Sequence, residues 1–510
     1  MTFVEELVRF GALSLTGKVW IVLTTTFTAC AVYLIVKFVM QCIKLKDFSG
    51  PLALPLLGNC YQTEALFLFR FLSKLRRRFG KVFTFFAFTK PYLVVCDPAI
   101  VRRVLSDTKT FEKGSDYTNV FSVGFGEGLV TSTGEKHRKD RTTFGKLFVK
   151  TNIVKHLALV NDLTEQAISQ FLNGENRMCD PLAGKHGVND GKNGSKVYNI
   201  ERFFSLLTVR VFMQFALHYN YPVEKELWFS TEVSKGSLEV GRMITLNLPV
   251  WDIFPAVKNI REGRKVLWSE MKKVVDARRE SMAAGGSQDI EDCVTVMIQE
   301  NFSEQDIDDH LVTLLSAGND TTSYFSSYLC YLLATNPEAQ DRLRQEILSV
   351  MKGRTEVTAD DITEMGFLAN VMKETLRLYS IIPCVTRTCT QETHIKEANV
   401  VIPEGVNVMI PMFLINRDPD LWKNPSAFEP DRFEGSSAYF TSSKDGYFPF
   451  GYGARACIGM TLAQLESAVF ICKLLMKFKL KEDDGFKPII FAGISLTTSN
   501  GINVKLEKLA

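Results

Sequence analysis

A mostly α fold with a minor β portion, preceded by one membrane-spanning helix, is what this chain of 510 residues predicts. Three observations carry the prediction. Apolar residues recur at helical spacing over long stretches, as at Ile307, Leu311, Leu314 and Leu315 or at Leu462, Leu465, Val469 and Met476. Runs with strand character are few and short, such as Tyr92–Cys96 and Val400–Pro403. Near the N-terminus, Val19–Val36 holds 18 residues without a charge.

As a helix that run is roughly 27 Å long, close to the thickness of a hydrocarbon core. Phe38, Val39 and Met40 extend it if Lys37 snorkels. Thr24, Thr25, Thr26 and Thr28 lower its hydropathy. The run is long for a cleaved signal peptide and has no clear small-residue cleavage site behind it. Glu5 and Glu6 before Arg9 do not suit a mitochondrial presequence. Lys37, Lys44 and Lys46 follow the span, against Arg9 and Lys18 before it, a weak bias toward a cytosolic C-terminal side. Next comes Gly50–Asn59, where Pro51 and Pro55 favour extended backbone.

Composition narrows the function classes. A hydrophobic share of 46% supplies a large core, and a net charge of +3 gives no nucleic-acid signal. Eleven cysteines contain no CxxC pair and match neither zinc nor disulfide spacing, which suits a reduced, cytosol-facing protein. Cys179–Val197, with Gly184, Gly187, Gly191 and Gly194, reads as an exposed loop.

Four runs carry chemistry. In Gly134–Arg141, His137 and Arg141 share a helix face at i, i+4. Lys136, Arg138, Lys139, Lys146 and Lys150 make that region basic, as a solvated face or a docking surface. A long helix starts at the N-cap Ser303 and runs to Thr335. In its middle, Ala317-Gly318-Asn319-Asp320-Thr321-Thr322 collects poor helix formers, which marks either a functional site or a polar kink in a surface helix. On the functional reading Gly318 lets a ligand press on the backbone, Thr321 donates protons locally and Asp320 relays them from solvent. Glu374 and Arg377 can pair at i, i+3. Finally, Cys457 follows the Gly-broken run from Phe450 and precedes a helix from Met460 to Phe478. The helix N-terminus favours thiolate, the form that binds metal. Gly453 and Gly459 allow tight turns beside a flat ligand, and Arg455 can reach an anionic group at its edge.

The run Phe450-Gly451-Tyr452-Gly453-Ala454-Arg455-Ala456-Cys457-Ile458-Gly459 resembles the haem-binding signature of the cytochrome P450 family. Ala317–Thr321 resembles that family's oxygen-activation motif. Glu374-Thr375-Leu376-Arg377 with Phe428–Phe433 resembles its structural triad, completed by Arg432. The resemblance spans Pro51 to Leu480 in family order. It implies the cytochrome P450 fold, with residues 1–46 a membrane anchor (transmembrane helix about 19–40) and residues 47–510 one catalytic domain. It implies haem b with Cys457 as axial thiolate ligand to iron, and His137, Arg141, Arg387 and Arg455 as contacts to the haem. His137 stands where the family has Trp. Asp320 and Thr321 become the catalytic pair. The implied activity is a membrane-anchored, microsomal-type haem-thiolate monooxygenase. It would insert one oxygen atom of O2 into a lipophilic substrate, a sterol, fatty acid or terpenoid. Electrons would come from NADPH through NADPH–cytochrome P450 reductase, with cytochrome b5 as a further candidate partner. The implied location is the endoplasmic reticulum membrane, single-pass, with the catalytic domain cytosolic and no nucleic acid bound. A haem-thiolate isomerase or dehydratase acting on a peroxide without a reductase, and a non-catalytic haem sensor, are the alternatives. Substrate contacts are expected from Phe111–Leu129, Phe203–Leu246, Ile382–Val385 and Phe491–Thr497.

Overall fold

The structure, a computed structural model, describes residues 14–62, 68–172, 197–245, 254–285, 292–435 and 446–509. The loop expected over Cys179–Val197 lies outside these residues except for Val197, which opens a short strand. The chain divides into two compact units, Met1–Val94 and Val95–Ala510.

In the first unit, helix α1 (Leu15–Lys44) covers the expected span and overruns it at both ends. Its apolar stretch has a mean hydropathy of 2.1, and Phe38 is the one buried residue on it. Three of the threonines inside it satisfy their hydroxyls within the helix. Thr24, Thr25 and Thr28 donate to the carbonyls of Trp20, Ile21 and Thr24 at 2.8, 2.7 and 2.8 Å, which lowers the cost of a hydroxyl in an apolar medium. Helix α2 (Leu68–Phe79) and the neighbouring strands β1 (Val82–Ala87) and β2 (Lys90–Val95) follow.

The second unit opens with α3 (Pro98–Ser106) and the short strand β3 (Phe111–Lys113). After a π-helical turn (Asp116–Phe121) come α4 (Ser122–Phe125), α5 (Gly134–Gly145), α6 (Ile200–Leu217), α7 (Val223–Thr245) and α8 (Pro255–Ala283). Helix α9 (Glu304–Thr335) is the spine of the unit. Ser303 caps it by accepting from the Asp306 N–H, as expected, and it ends before Asn336-Pro337. It is buried on almost every side, so the surface-helix reading of its polar middle fails; Asn319 and Asp320 are 2% and 4% exposed. The role expected of Gly318 changes as well. A Cβ there would lie 2.4 Å from Cδ2 of Phe212. The missing side chain lets α6 pack against α9, and the Phe212 ring fills the space assigned to a ligand.

Helix α10 (Gly366–Leu378) carries Glu374 and Arg377, both with no exposed side-chain surface. Arg377 grips Glu374 with two parallel bonds of 2.7 Å, and Arg432 Nε bonds the same carboxylate at 3.0 Å. The Arg377 guanidinium also donates to the carbonyls of Asn416, Pro425 and Ala427. The expected triad is therefore formed, buried and fully hydrogen-bonded. Strands β4 (Val385–Cys389) and β5 (Asn407–Ile410) join β3 in an antiparallel ladder, order β5-β4-β3. Helix α11 (Met460–Lys477) follows the cysteine run, and strand β6 (Leu496–Thr498) lies near the C-terminus.

The packing makes two predictions. Glu374→Ala leaves two buried guanidiniums facing each other and should cost roughly 3–5 kcal/mol; chemical denaturation should show a lower midpoint and expression should yield little soluble protein. Glu466 on α11 is 3% exposed, and burial pushes its carboxyl up to about 8. Its neutral form is the one that favours the fold. That contribution is complete below the unfolded carboxyl range and is lost as pH rises through about 8. Between those limits the protein should lose about 1.4 kcal/mol per pH unit from this group, and Glu466→Gln should flatten that slope in pH-dependent denaturation.

Candidate active site

Cys457 sits three residues before α11, and Gly459 caps that helix. The Cys457 N–H bonds the Phe450 carbonyl at 2.8 Å, closing the loop on itself. Gly451 and Gly453 both need φ near +70° (73° and 70°). At Gly453 a Cβ would stand 3.0 Å from the Leu105 carbonyl oxygen and 3.1 Å from Ser106 Cα. Its close approach is to α3, not to a flat ligand. Gly459 has an ordinary φ of −85°, and a Cβ there would meet only the Cys457 Sγ, at 4.0 Å. The thiol is open to solvent-sized contact although protein surrounds it. Burial pushes it up, while the Gly459 N–H and Arg141 favour its thiolate.

Around that loop the structure collects positive charge. Arg141 and His137 lie on one face of α5, Arg387 on β4 and Arg455 beside the cysteine. All four expected contacts are brought together. A fourth cation, Lys113, escapes a reading of the sequence. It sits on β3 directly opposite Arg387 in the ladder, and nothing in Phe111-Glu112-Lys113-Gly114 foretells that pairing. Lys113 is held well below its ordinary range by burial first and then by Arg387, Arg455 and Arg141. Arg455 is brought down to about 10 by burial, with Arg387 and Arg141 adding to the effect. His137, 5% exposed, is pushed down to about 3 by burial and by Arg455, Lys113 and Arg141, so its imidazole is neutral at pH 7. Among the described residues none of the four charged side chains, Lys113, Arg141, Arg387 and Arg455, has a carboxylate within salt-bridge distance. Arg455 spends one bond on the Ser132 carbonyl, at 2.8 Å, and the Ser132 hydroxyl is buried without a partner. Like charges opposite each other in a ladder are unfavourable. The arrangement suits anionic groups between them.

The acid–alcohol pair lies on α9. Thr321 is half-buried, and its hydroxyl donates to the Ala317 carbonyl at 2.7 Å. Ala317 is exposed on a helix mostly buried there, so this turn is open on the Ala317 side. Asp320 faces the other way. Its Oδ1 accepts from Ser234 Oγ at 2.9 Å and Asn319 Nδ2 at 3.2 Å.

Three of the four expected substrate regions meet in one apolar cluster. Tyr117, Phe121 and Phe125 pack with Val240 and Met243 of α7, Val312 of α9 and Ile494. The rings of Tyr117 and Phe121 stack with centroids 4.4 Å apart. The residue before the fourth region, Ile381, accepts from the Leu496 N–H at 2.7 Å through its carbonyl. On α5 and at its C-cap, Arg138, Lys139 and Lys146 are exposed, but Lys136 is drawn inward by Asp306 and Asp140 and drops out of the basic face.

Comparison with known proteins agrees with this geometry. The family model for cytochrome P450 matches residues 48–506. Cytochrome P450 3A29 of Sus scrofa is 28% identical over 484 residues, 91% of each chain. A probable cytochrome P450 508A1 of Dictyostelium discoideum is 26% identical over 490 residues, covering 91% of this chain and 94% of the relative. Leukotriene-B4 omega-hydroxylase 3 of Mus musculus is 24% identical over 447 residues, covering 82% and 81%. The chain belongs to the cytochrome P450 family. It is a monooxygenase of the class that uses haem b with an axial cysteine thiolate, together with a redox partner, O2 and a small-molecule substrate.

The opposed charges of Lys113 and Arg387 give the test of the cluster. Lys113→Gln should raise the melting temperature of the haem-free protein, because it removes a repulsion. The same change should speed haem loss from the loaded protein to a haem-scavenging acceptor. Equal melting temperatures with and without the substitution would show that the pair is solvated apart.

Proposed function

We propose that this enzyme oxidises a lipophilic substrate, a sterol, fatty acid or terpenoid. It would take electrons from NADPH through NADPH–cytochrome P450 reductase, with cytochrome b5 as a further candidate donor. The observation that carries the site assignment is the open Cys457 thiol beside four cations that have no carboxylate partner among the described residues. Cys457 would hold the iron. Lys113, Arg141, Arg387 and Arg455 would neutralise two propionate carboxylates, and neutral His137 would donate an N–H to one of them. The exposed Ala317 turn, the unpartnered Ser132 hydroxyl and the open space beside Gly459 fit a buried, flat, anionic group. Haem b, when bound there, supplies the activation of O2 and its transfer to substrate.

The chain's own residues do the rest. The aromatic cluster from Tyr117 to Phe125 offers an apolar wall and excludes water. That wall, and the lipid in the name of one relative, support the substrate class. Thr321 would hold a water and pass on a proton, and Asp320 would restore it. The exposed Arg138, Lys139 and Lys146 offer a face to an acidic reductase. The apolar helix α1 supports anchoring in a membrane. The lysines that follow it favour the endoplasmic reticulum arrangement with a cytosolic catalytic domain. The unit boundaries expected from sequence, an anchor to residue 46 and a catalytic domain from residue 47, complete the proposal.

Cys457→Ser should abolish the thiolate-type spectrum of the reduced carbon monoxide complex; a retained spectrum would move the ligand to another cysteine. Thr321→Ala should keep haem and substrate binding but lower the product formed per NADPH oxidised, with hydrogen peroxide taking up the difference. Asp320→Asn should instead slow turnover, since positioned proton transfer is worth about 10²–10⁴-fold. Product yield and rate with purified reductase and a lipid panel measure both. Unchanged values in Thr321→Ala would favour the isomerase reading.

A further inference from the structure

Asp320 is enclosed, yet proton supply requires that it exchange with water. Two of its partners come from one face of α7. Ser234 Oγ donates to Oδ1 at 2.9 Å, and the Ser237 hydroxyl, three residues on, bonds the same carboxylate. Both serines have a wet side. Ser237 lines an open cleft of about 300 Å³ between α4, α7, α8 and α9, whose polar lining includes Ser316, Asn259 and Arg264. Ser234 lies outside that lining but is half-exposed. The third partner, Asn319, is an amide that also accepts the Thr208 hydroxyl at 2.9 Å, and it is buried. An amide N–H donates but does not hand a proton on, whereas a hydroxyl donates and accepts at once. None of Lys113, His137, Arg387, Arg455 or Cys457 lines the cleft, so it approaches Asp320 from the side away from the cation cluster.

We propose that the hydroxyl pair Ser234 and Ser237 on α7 is the route by which protons from solvent reach Asp320. A hydronium ion in the cleft gives its proton to the serine oxygen while the serine's own proton passes to the Asp320 carboxylate. The hydronium becomes water, the serine ends as it began, and Asp320 gains one proton. Burial raises the Asp320 carboxyl above the usual range, against the bonds from Ser237, Ser234 and Asn319, so the acid is disposed to take the proton up. The serines are positioning residues that act through Asp320. The inference rests on the monooxygenase reading only for the use made of the proton.

The test compares two double variants of equal shape. Ser234→Thr with Ser237→Thr keeps both hydroxyls; Ser234→Val with Ser237→Val replaces them by methyls and leaves no room for a substituting water. The readout, at mildly acidic pH, is the infrared C=O band of the Asp320 acid, identified by its loss in Asp320→Asn. Its exchange rate is followed after rapid transfer of the purified protein to D2O. The Val pair should slow exchange at least tenfold, and the Thr pair should exchange like wild type. In turnover the Val pair should show a larger solvent isotope effect than the Thr pair. Exchange at the wild-type rate in the Val pair would overturn the route, as would equal slowing in the Thr pair, which would signify shape alone. If the double Val protein does not fold, the single Val variants replace it, and at least one must slow exchange severalfold. Slowed exchange in a protein that makes no product with reductase and lipids would leave the route standing and remove the monooxygenase reading; the reverse pattern would do the opposite.

Discussion

A single carboxylate with no exposed surface, Glu374, holds together the part of the molecule on which the cysteine loop depends. An isolated buried charge would be prohibitive, and two guanidiniums make it tolerable. Through Arg377 the segment from Asn416 to Ala427 is strapped to α10 by three carbonyl bonds, and through Arg432 the turn at Glu429 is added. Aromatic packing completes the strap. Trp422 lies under Arg377 at 5.3 Å and against Phe433 and Tyr447, while the Tyr447 hydroxyl bonds the Lys373 carbonyl at 2.8 Å. Tyr447 leads within ten residues to Cys457. The triad takes no part in chemistry, but it fixes the approach to the thiol.

The second constraint is electrostatic. Helix α5, strand β3, strand β4 and the cysteine loop each deliver one cation to a common place, where Arg141 and Arg387 depress both Lys113 and Arg455. Packing alone gives no reason to gather them. The arrangement favours anions between the charges. On the proposed assignment the cofactor would be a counter-ion as well as a reagent.

Elements with a local cause were legible in the sequence. Helix α11 follows from its apolar period, α9 from its cap and its terminal Asn-Pro, and the Glu374–Arg377 pair from i, i+3 spacing. The triad's third member came from the family resemblance, and the structure places it. What failed was the assignment of neighbours. Gly318 and Gly453 were legible as close approaches, but the partners are Phe212 and α3 rather than a ligand. A glycine announces that something presses on the backbone without saying what. Lys113 was invisible because its role is created by the β3–β4 register, a pairing between residues about 270 positions apart. Lys136 looked like one more surface lysine until α9 brought Asp306 beside it.

The facing pair Lys113 and Arg387 has a consequence for the life of the protein in a cell. On the proposed assignment a newly made chain would bring these charges together before haem arrives, so the haem-free fold would begin at a disadvantage. Marginally stable chains are sorted continuously between refolding and proteolysis, and a difference of about one or two kcal/mol changes abundance severalfold. The amount of this enzyme would then be set by haem supply as well as by transcription. A shortage of haem would remove the protein itself rather than leave an idle pool, and the cell would not accumulate an empty, membrane-tethered hydrophobic cavity.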